Sequence, residues 1–198
     1  MKFKFKIQQY QTDAVDNTVA VFAGQPSHAF EKYRRDLGRY KETKIEYYGD
    51  TGYRNHPIEL SQATLLKNIN AVQNLYDIAP SSALAKGTAD VNLDIEMETG
   101  TGKTYVYIKT MFELNKQYGW SKYIVVVPSI AIREGVAKSF NMLEDHFMEY
   151  YGKKARWFVY DSKNLPQLDS FSADSGLNVM IINTQAFAAS MKEGGRSK

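Results

Sequence analysis

Seven consecutive residues, Glu98-Thr99-Gly100-Thr101-Gly102-Lys103-Thr104, constrain the fold more than any other part of the chain. They follow a short β-branched run, Val91-Asn92-Leu93-Asp94-Ile95, that reads as a strand, and they open into Tyr105–Tyr118, which reads as a helix. Strand, glycine-rich turn and helix together set main-chain N–H groups and the positive end of a helix dipole around one point, which suits a polyphosphate. In such a loop Lys103 places a point charge against the β- and γ-phosphates, and the Thr104 hydroxyl is a ligand for Mg²⁺. Gly100 and Gly102 let phosphate oxygens approach the main chain. Thr99, Gly100, Thr101, Gly102, Lys103 and Thr104 are therefore the expected ATP-binding residues.

The general nucleoside-triphosphatase pattern places glycine where this chain has Met97. That departure argues against an ordinary kinase or GTPase loop. The variant present, Thr-Gly-x-Gly-Lys-Thr, resembles helicase superfamily 2.

A chain of 198 residues with 43% hydrophobic residues suits one domain with a real core. It has no cysteine, so neither a disulfide framework nor a thiolate metal site is available. Met1-Lys2-Phe3-Lys4-Phe5-Lys6-Ile7 alternates apolar and basic residues, the period of a strand and not of a signal peptide, so a cytoplasmic location is expected. No run of about 20 apolar residues, the length a membrane span needs, is present. The net charge of +3 does not by itself argue for nucleic acid.

Residues 8–22 read as a helix with Tyr10, Ala14, Thr18 or Val19, and Phe22 on one face. The stretch 24–90 is charged and tyrosine-rich and reads as an insertion, in which Ser61 caps a helix carrying Leu65, Ile69, Val72 and Tyr76. After it the alternation is regular. Tyr123–Val127 reads as a strand buried on both faces, and 129–147 as a helix with Val136, Phe140, Leu143 and Phe147 on one stripe. Arg156–Tyr160 and Leu177–Ile182 read as two more strands. The expected class is α/β, a RecA-like P-loop lobe with a mostly parallel sheet and helices on both faces. The expected division is 1–23, an insertion over 24–90, and a lobe over 91–198.

Three further constellations carry candidate chemistry. Tyr10-Gln11-Thr12-Asp13 resembles the glutamine motif of superfamily 2, in which the amide reads adenine through one donor and one acceptor. Without the loop, Gln11 reads as a solvated helix-end glutamine. Pro128, Ser129 and Arg133 follow the strand at 123–127, where ligands collect in open α/β sheets. By the same resemblance they touch a DNA backbone, although an arginine there equally pairs with Glu134. Thr184 and Gln185, after the last strand, suit another backbone contact or a plain cap.

Longer runs make the resemblance specific. Leu93–Tyr107, Asn115–Trp120 and Ile124–Val136 are similar to the restriction (Res) subunit of type III restriction-modification enzymes, with weaker likeness at Asn68-Ile69, Val72-Gln73 and Val159–Lys163. The resemblance implies an ATP- and Mg²⁺-dependent motor that moves along DNA, a nuclease domain, and a methyltransferase (Mod) partner. Hydrolysis also needs an acidic Asp-Glu pair, which the sequence does not supply. Asp161 ends an apolar strand but no glutamate follows it, and Glu144-Asp145-His146 falls mid-helix. The chain thus reads as an amino-terminal portion that binds ATP weakly without turning it over. Competing readings are a DNA-binding or assembly module with a vestigial nucleotide site, a type I restriction motor or repair helicase, and a phosphotransferase.

Overall fold

The computed structural model describes residues 5–28, 31–34, 51–87, 89–164 and 166–188. The chain divides into two compact units, one formed by 1–28 with 57–118 and the other by 29–56 with 119–198.

The first unit is built on α1 (Gln9–Ala20), α2 (Gln62–Leu75) and α3 (Lys103–Tyr118). Gln11, Val15 and Val19, spaced by one turn, are the buried residues of α1. This stripe lies one residue away from the face expected from Tyr10, Ala14 and Thr18, which instead borders a cleft. α1 packs on α3, whose Val106, Ile108, Met111, Phe112 and Leu114 are buried. The Tyr118 hydroxyl donates to Val19 O at 3.4 Å, and its ring meets Phe22 edge-on at 6.4 Å.

α2 starts where the sequence indicates: the Ser61 hydroxyl accepts from Thr64 N at 3.1 Å. Its Asn68 amide then caps the end of α1, donating to Val21 O and Ala23 O at 3.0 Å each. Gln73 accepts from Ser81 N and donates to Ser81 Oγ, both at 2.9 Å, folding the following loop back on the helix.

One strand expectation fails here, and another lies largely outside the described residues. Val91–Ile95 belongs to no sheet among the described residues. A strand buried on both faces needs a continuous apolar run, whereas Asn92, Asp94 and Glu96 put a polar group at every second position. Of the amino-terminal run, Met1–Lys4 lie outside the described residues and Phe5–Ile7 carry no regular structure.

The second unit holds the hairpin β1 (Glu31–Arg34) with β2 (Thr51–Arg54), then β3 (Lys122–Val127), α4 (Ile130–Tyr151), β4 (Arg156–Val159), α5 (Pro166–Ala173) and β5 (Asn178–Asn183). β3, β5 and β4 form a parallel sheet in that order, with Lys122 opposite Asn178 and Arg156 opposite the same residue. The last strand thus enters between two earlier ones and is buried along its whole length.

α4 buries the expected Val136, Phe140, Leu143 and Phe147, and ends at Gly152 with φ +66°. Phe140 stacks on Trp157 at 5.9 Å, while Phe171 of α5 meets Phe158 at 5.9 Å. Neighbouring strand residues point to opposite faces, so the sheet is covered on both sides at β4. β3 differs from expectation: Ile124 and Val126 are 51% and 45% exposed. They share the Phe158 face, on which eight-residue α5 meets β3 at its first residue, the Lys122 ammonium lying over the Phe171 ring at 5.3 Å. Asn55 fastens the hairpin to β3: its Oδ1 accepts from Ser121 N at 2.7 Å and Lys122 N at 2.9 Å, and its Nδ2 donates to Lys122 O at 2.8 Å.

Candidate nucleotide site

α3 begins at Lys103, two residues earlier than the sequence suggests, so Lys103 and Thr104 stand in its first turn. Gly100 and Gly102 adopt φ of +83° and +86°, which side-chain-bearing residues rarely do. The two glycines serve different needs. A Cβ on Gly100 would meet nothing within 4 Å, so only its backbone angle demands glycine. A Cβ on Gly102 would stand 2.5 Å from Gln11 Nε2, so glycine there also makes room for that amide.

Two carbonyls organise the loop. Glu98 O accepts from Thr101 N (3.4 Å), Thr101 Oγ1 (2.7 Å) and Lys103 Nζ (2.9 Å). Thr101 O accepts from Gln11 Nε2 (2.9 Å) and from the Tyr10 hydroxyl (3.2 Å). Gln11 is 9% exposed and braces the loop from α1; it is not the solvated helix-end residue that its position alone allows. Among the described residues, the main-chain N–H groups of Gly100, Gly102, Lys103 and Thr104 have no hydrogen-bond partner. These donors sit at the N-terminus of α3, where partial positive charge accumulates.

Two tyrosines take part that the sequence reading gave no role. Tyr10 lies beside Gln11 and reaches the same carbonyl, but nothing in the sequence beyond adjacency signals it. Tyr107, one turn past Lys103, has a buried hydroxyl without a hydrogen-bond partner. Burial raises its pKa above the ordinary tyrosine value, with the Thr104 side chain pulling the other way.

The second candidate set lies in the sheet unit, at the carboxyl ends of β3 and β5. Thr184 Oγ1 donates to Pro128 O at 3.4 Å, which brings the two loops together. Ser129 caps α4, its hydroxyl accepting from Ile132 N at 3.3 Å. Arg133 Nη2 pairs with Glu134 Oε1 at 3.0 Å, the local arrangement the sequence allowed. Residues 184–188 are helical, and Gln185 Oε1 accepts from Asn183 Nδ2 at 2.8 Å. Asp161 holds a turn through Lys163 N at 2.9 Å, and Glu144 pairs with Lys154.

The family model described as "Type III restriction enzyme, res subunit" matches residues 4–197. The chain belongs to that family. Its fold is accordingly α/β, of the RecA-like helicase-lobe kind. Similar proteins include the EcoP15I Res subunit of Escherichia coli, 38% identical over 111 residues, covering 55% of this chain and 11% of that protein. The EcoPI Res subunit of Escherichia phage P1 is 33% identical over 147 residues, covering 66% of this chain and 15% of its own. The StyLTI Res subunit of Salmonella typhimurium is 49% identical over 113 residues, 48% of this chain and 11% of that one. The chain thus spans between 11% and 15% of the length of these relatives. No helix among the described residues is long and apolar enough to cross a membrane.

Proposed function

We propose that this chain supplies the ATP-binding loop of the motor in a cytoplasmic type III restriction endonuclease, acting on DNA together with a methyltransferase (Mod) subunit. On this reading residues 1–23 carry the base-facing glutamine, 24–90 are an insertion, and 91–198 are the lobe. The observation that carries it is the set of four unbonded amides at Gly100, Gly102, Lys103 and Thr104, with the Lys103 ammonium beside them.

The residues fit a triphosphate. Unbonded N–H groups at a helix N-terminus accept phosphate oxygens without breaking a bond first. Lys103 exchanges the neutral Glu98 carbonyl for an anionic oxygen, a stronger acceptor for an ammonium. Thr99 and Thr101 flank the glycines and set the loop. Gln11 turns from Thr101 O to the adenine edge, and Thr104 is the Mg²⁺ ligand. Mg²⁺, when bound, neutralises charge on the phosphates. Pro128, Ser129, Arg133, Thr184 and Gln185 contact the sugar-phosphate backbone, Arg133 exchanging Glu134 for phosphate. The chain by itself binds ATP without turning it over, because no acidic Asp-Glu pair completes the site.

Calorimetric titration with Mg·ATP tests this. Binding is expected for the chain, weakened at least ~tenfold by Lys103→Ala, a loss of about 1.4 kcal/mol. Absence of binding, or equal binding by the variant, overturns the nucleotide reading. Steady phosphate release abolished by Lys103→Ala overturns the proposed inactivity.

A further inference from the structure

α3 carries one enclosed polar group that no hydrogen bond employs. The Tyr107 side chain is half-buried and its hydroxyl is shut off from solvent, yet that hydroxyl has no hydrogen-bond partner. An unpaired buried hydroxyl costs stability that a phenylalanine of the same shape would not lose. Asn70 Oδ1 and Ser121 Oγ share this condition but lie on other elements. Tyr107 stands one turn into the helix that opens with Lys103 and Thr104.

Side chains on a helix lean toward its N-terminus and cover the residues three and four positions earlier. For Tyr107 those residues are Thr104 and Lys103. The Thr104 side chain is the neighbour that acts on the phenol, lowering its pKa against the larger rise that burial causes. A donor beside the phenol oxygen has that sign, because it favours the ionised form.

Thr104, for its part, has a proton to place. Threonine hydroxyls inside helices donate to the carbonyl one turn back, as Thr18 does to Ala14 O at 2.7 Å and Thr110 to Val106 O at 2.9 Å. Thr104 makes no such bond among the described residues. Gly100, four residues before it, lies outside α3 with φ of +83°. A hydroxyl has one proton and two lone pairs. To hold a cation it turns a lone pair outward, and its proton then needs an acceptor on the other side.

We propose that Tyr107 is a positioning residue for the metal ion that accompanies the nucleotide: its hydroxyl oxygen accepts the Thr104 proton and so fixes a Thr104 lone pair toward Mg²⁺. The inference rests on the reading of Thr104 as the Mg²⁺ ligand. Tyr107 touches neither metal nor nucleotide and acts only through Thr104. Its enclosed hydroxyl gains a partner as Thr104 turns, so part of the affinity for the metal comes from satisfying it. Groups that orient a metal ligand in this way change metal affinity by about 10–100-fold.

Titrating the chain with ATP, once in Mg²⁺ and once in EDTA, measures the gain in affinity that the metal confers. The parent, Tyr107→Phe, Thr104→Ala and the double variant are compared, with urea unfolding of each chain in the absence of nucleotide. Tyr107→Phe is expected to reduce the Mg²⁺ gain about tenfold while affinity in EDTA stays unchanged. Its urea midpoint should be unchanged or higher, since only an unpaired hydroxyl is lost. In the Thr104→Ala background the same substitution should have no further effect. A full Mg²⁺ gain in Tyr107→Phe overturns the proposal. An equal loss with and without metal also overturns it, by assigning the hydroxyl to the architecture of the loop, and so does a lowered urea midpoint or a loss that persists in the Thr104→Ala background. A parent that binds ATP with no Mg²⁺ gain removes Thr104 as ligand and overturns the proposal while the phosphate site stands. A parent that binds no ATP overturns the nucleotide reading and the proposal together.

Discussion

Replacing Gly102 with alanine tests whether the loop is braced by Gln11 in the way the structure describes. Two costs add. The first is conformational: φ of +86° in a residue with a side chain costs about 1–2 kcal/mol. The second is a collision, since the new Cβ would stand 2.5 Å from Gln11 Nε2. The amide is the end of a flexible side chain and moves aside, but it then gives up its 2.9 Å bond to Thr101 O in a site where Gln11 is 9% exposed. Losing a bond and stranding its partner in such a place costs about 1–3 kcal/mol. Gly102→Ala is thus expected to destabilise the chain by roughly 2–5 kcal/mol. Gly100→Ala is the internal control, because it has the same kind of φ, +83°, but no atom within 4 Å of the added carbon. Its cost is the conformational part alone, about 1–2 kcal/mol.

Urea unfolding of the parent, Gly102→Ala, Gln11→Ala and the double variant closes a thermodynamic cycle. In the Gln11→Ala background the collision is gone, and Gly102→Ala falls to the cost of Gly100→Ala. A coupling energy of about 1 kcal/mol or more is expected, well outside the few tenths seen for independent sites. If Gly102→Ala costs the same in both backgrounds, Gln11 does not occupy the space beside Gly102 and the brace is refuted.

Asn55→Ala is expected to cost about 2–4 kcal/mol, because it removes three bonds and strands the amide of Ser121, a residue with no exposed surface. Asn55→Asp keeps an acceptor for both amides and should lose less; equal losses in urea unfolding would refute the role given to Oδ1. Stability should also fall as pH rises above 10.0, because burial raises the Tyr123 pKa above that value in the folded chain while the unfolded chain ionises at it. The unfolded state then binds fewer protons, and this one group contributes a slope of at most about 1.4 kcal/mol per pH unit. Tyr107 and Tyr118 are shifted the same way by burial and add to the loss. Tyr123→Phe should flatten the alkaline limb, and an unchanged slope would contradict the assignment.

What the sequence disclosed is what neighbours along the chain determine. Ser61 before an apolar period, or glycines before a lysine at a helix start, specify their structure within a turn or two: α2 starts as expected, and α3 two residues before Tyr105. The α4 stripe is legible because its period is internal to one helix. Strand environments are not so determined. Tyr123–Val127 is β-branched throughout, yet whether Ile124 is covered depends on the reach of α5, which starts nearly forty residues later. Nor does the order in which strands appear reveal that β5 inserts between β3 and β4. Gln11 illustrates the same limit in the candidate site: its association with the loop was legible, but its burial against Gly102 required α1 and α3 to be packed first.

That packing gives the loop a defined state of its own. Glu98 O and Thr101 O together gather donors from Tyr10, Gln11, Thr101 and Lys103, while among the described residues the amides of Gly100, Gly102, Lys103 and Thr104 have no partner. The loop therefore presents four donors while the Glu98 and Thr101 carbonyls are satisfied, an imbalance that favours anions over cations. A phosphate competes only for Lys103, since the amides have nothing to release. A base drawn to Gln11, by contrast, must break the Thr101 bond and loosen the brace beside Gly102. Affinity in this site should accordingly reside in the phosphates, with the base contributing selectivity at some cost in binding energy.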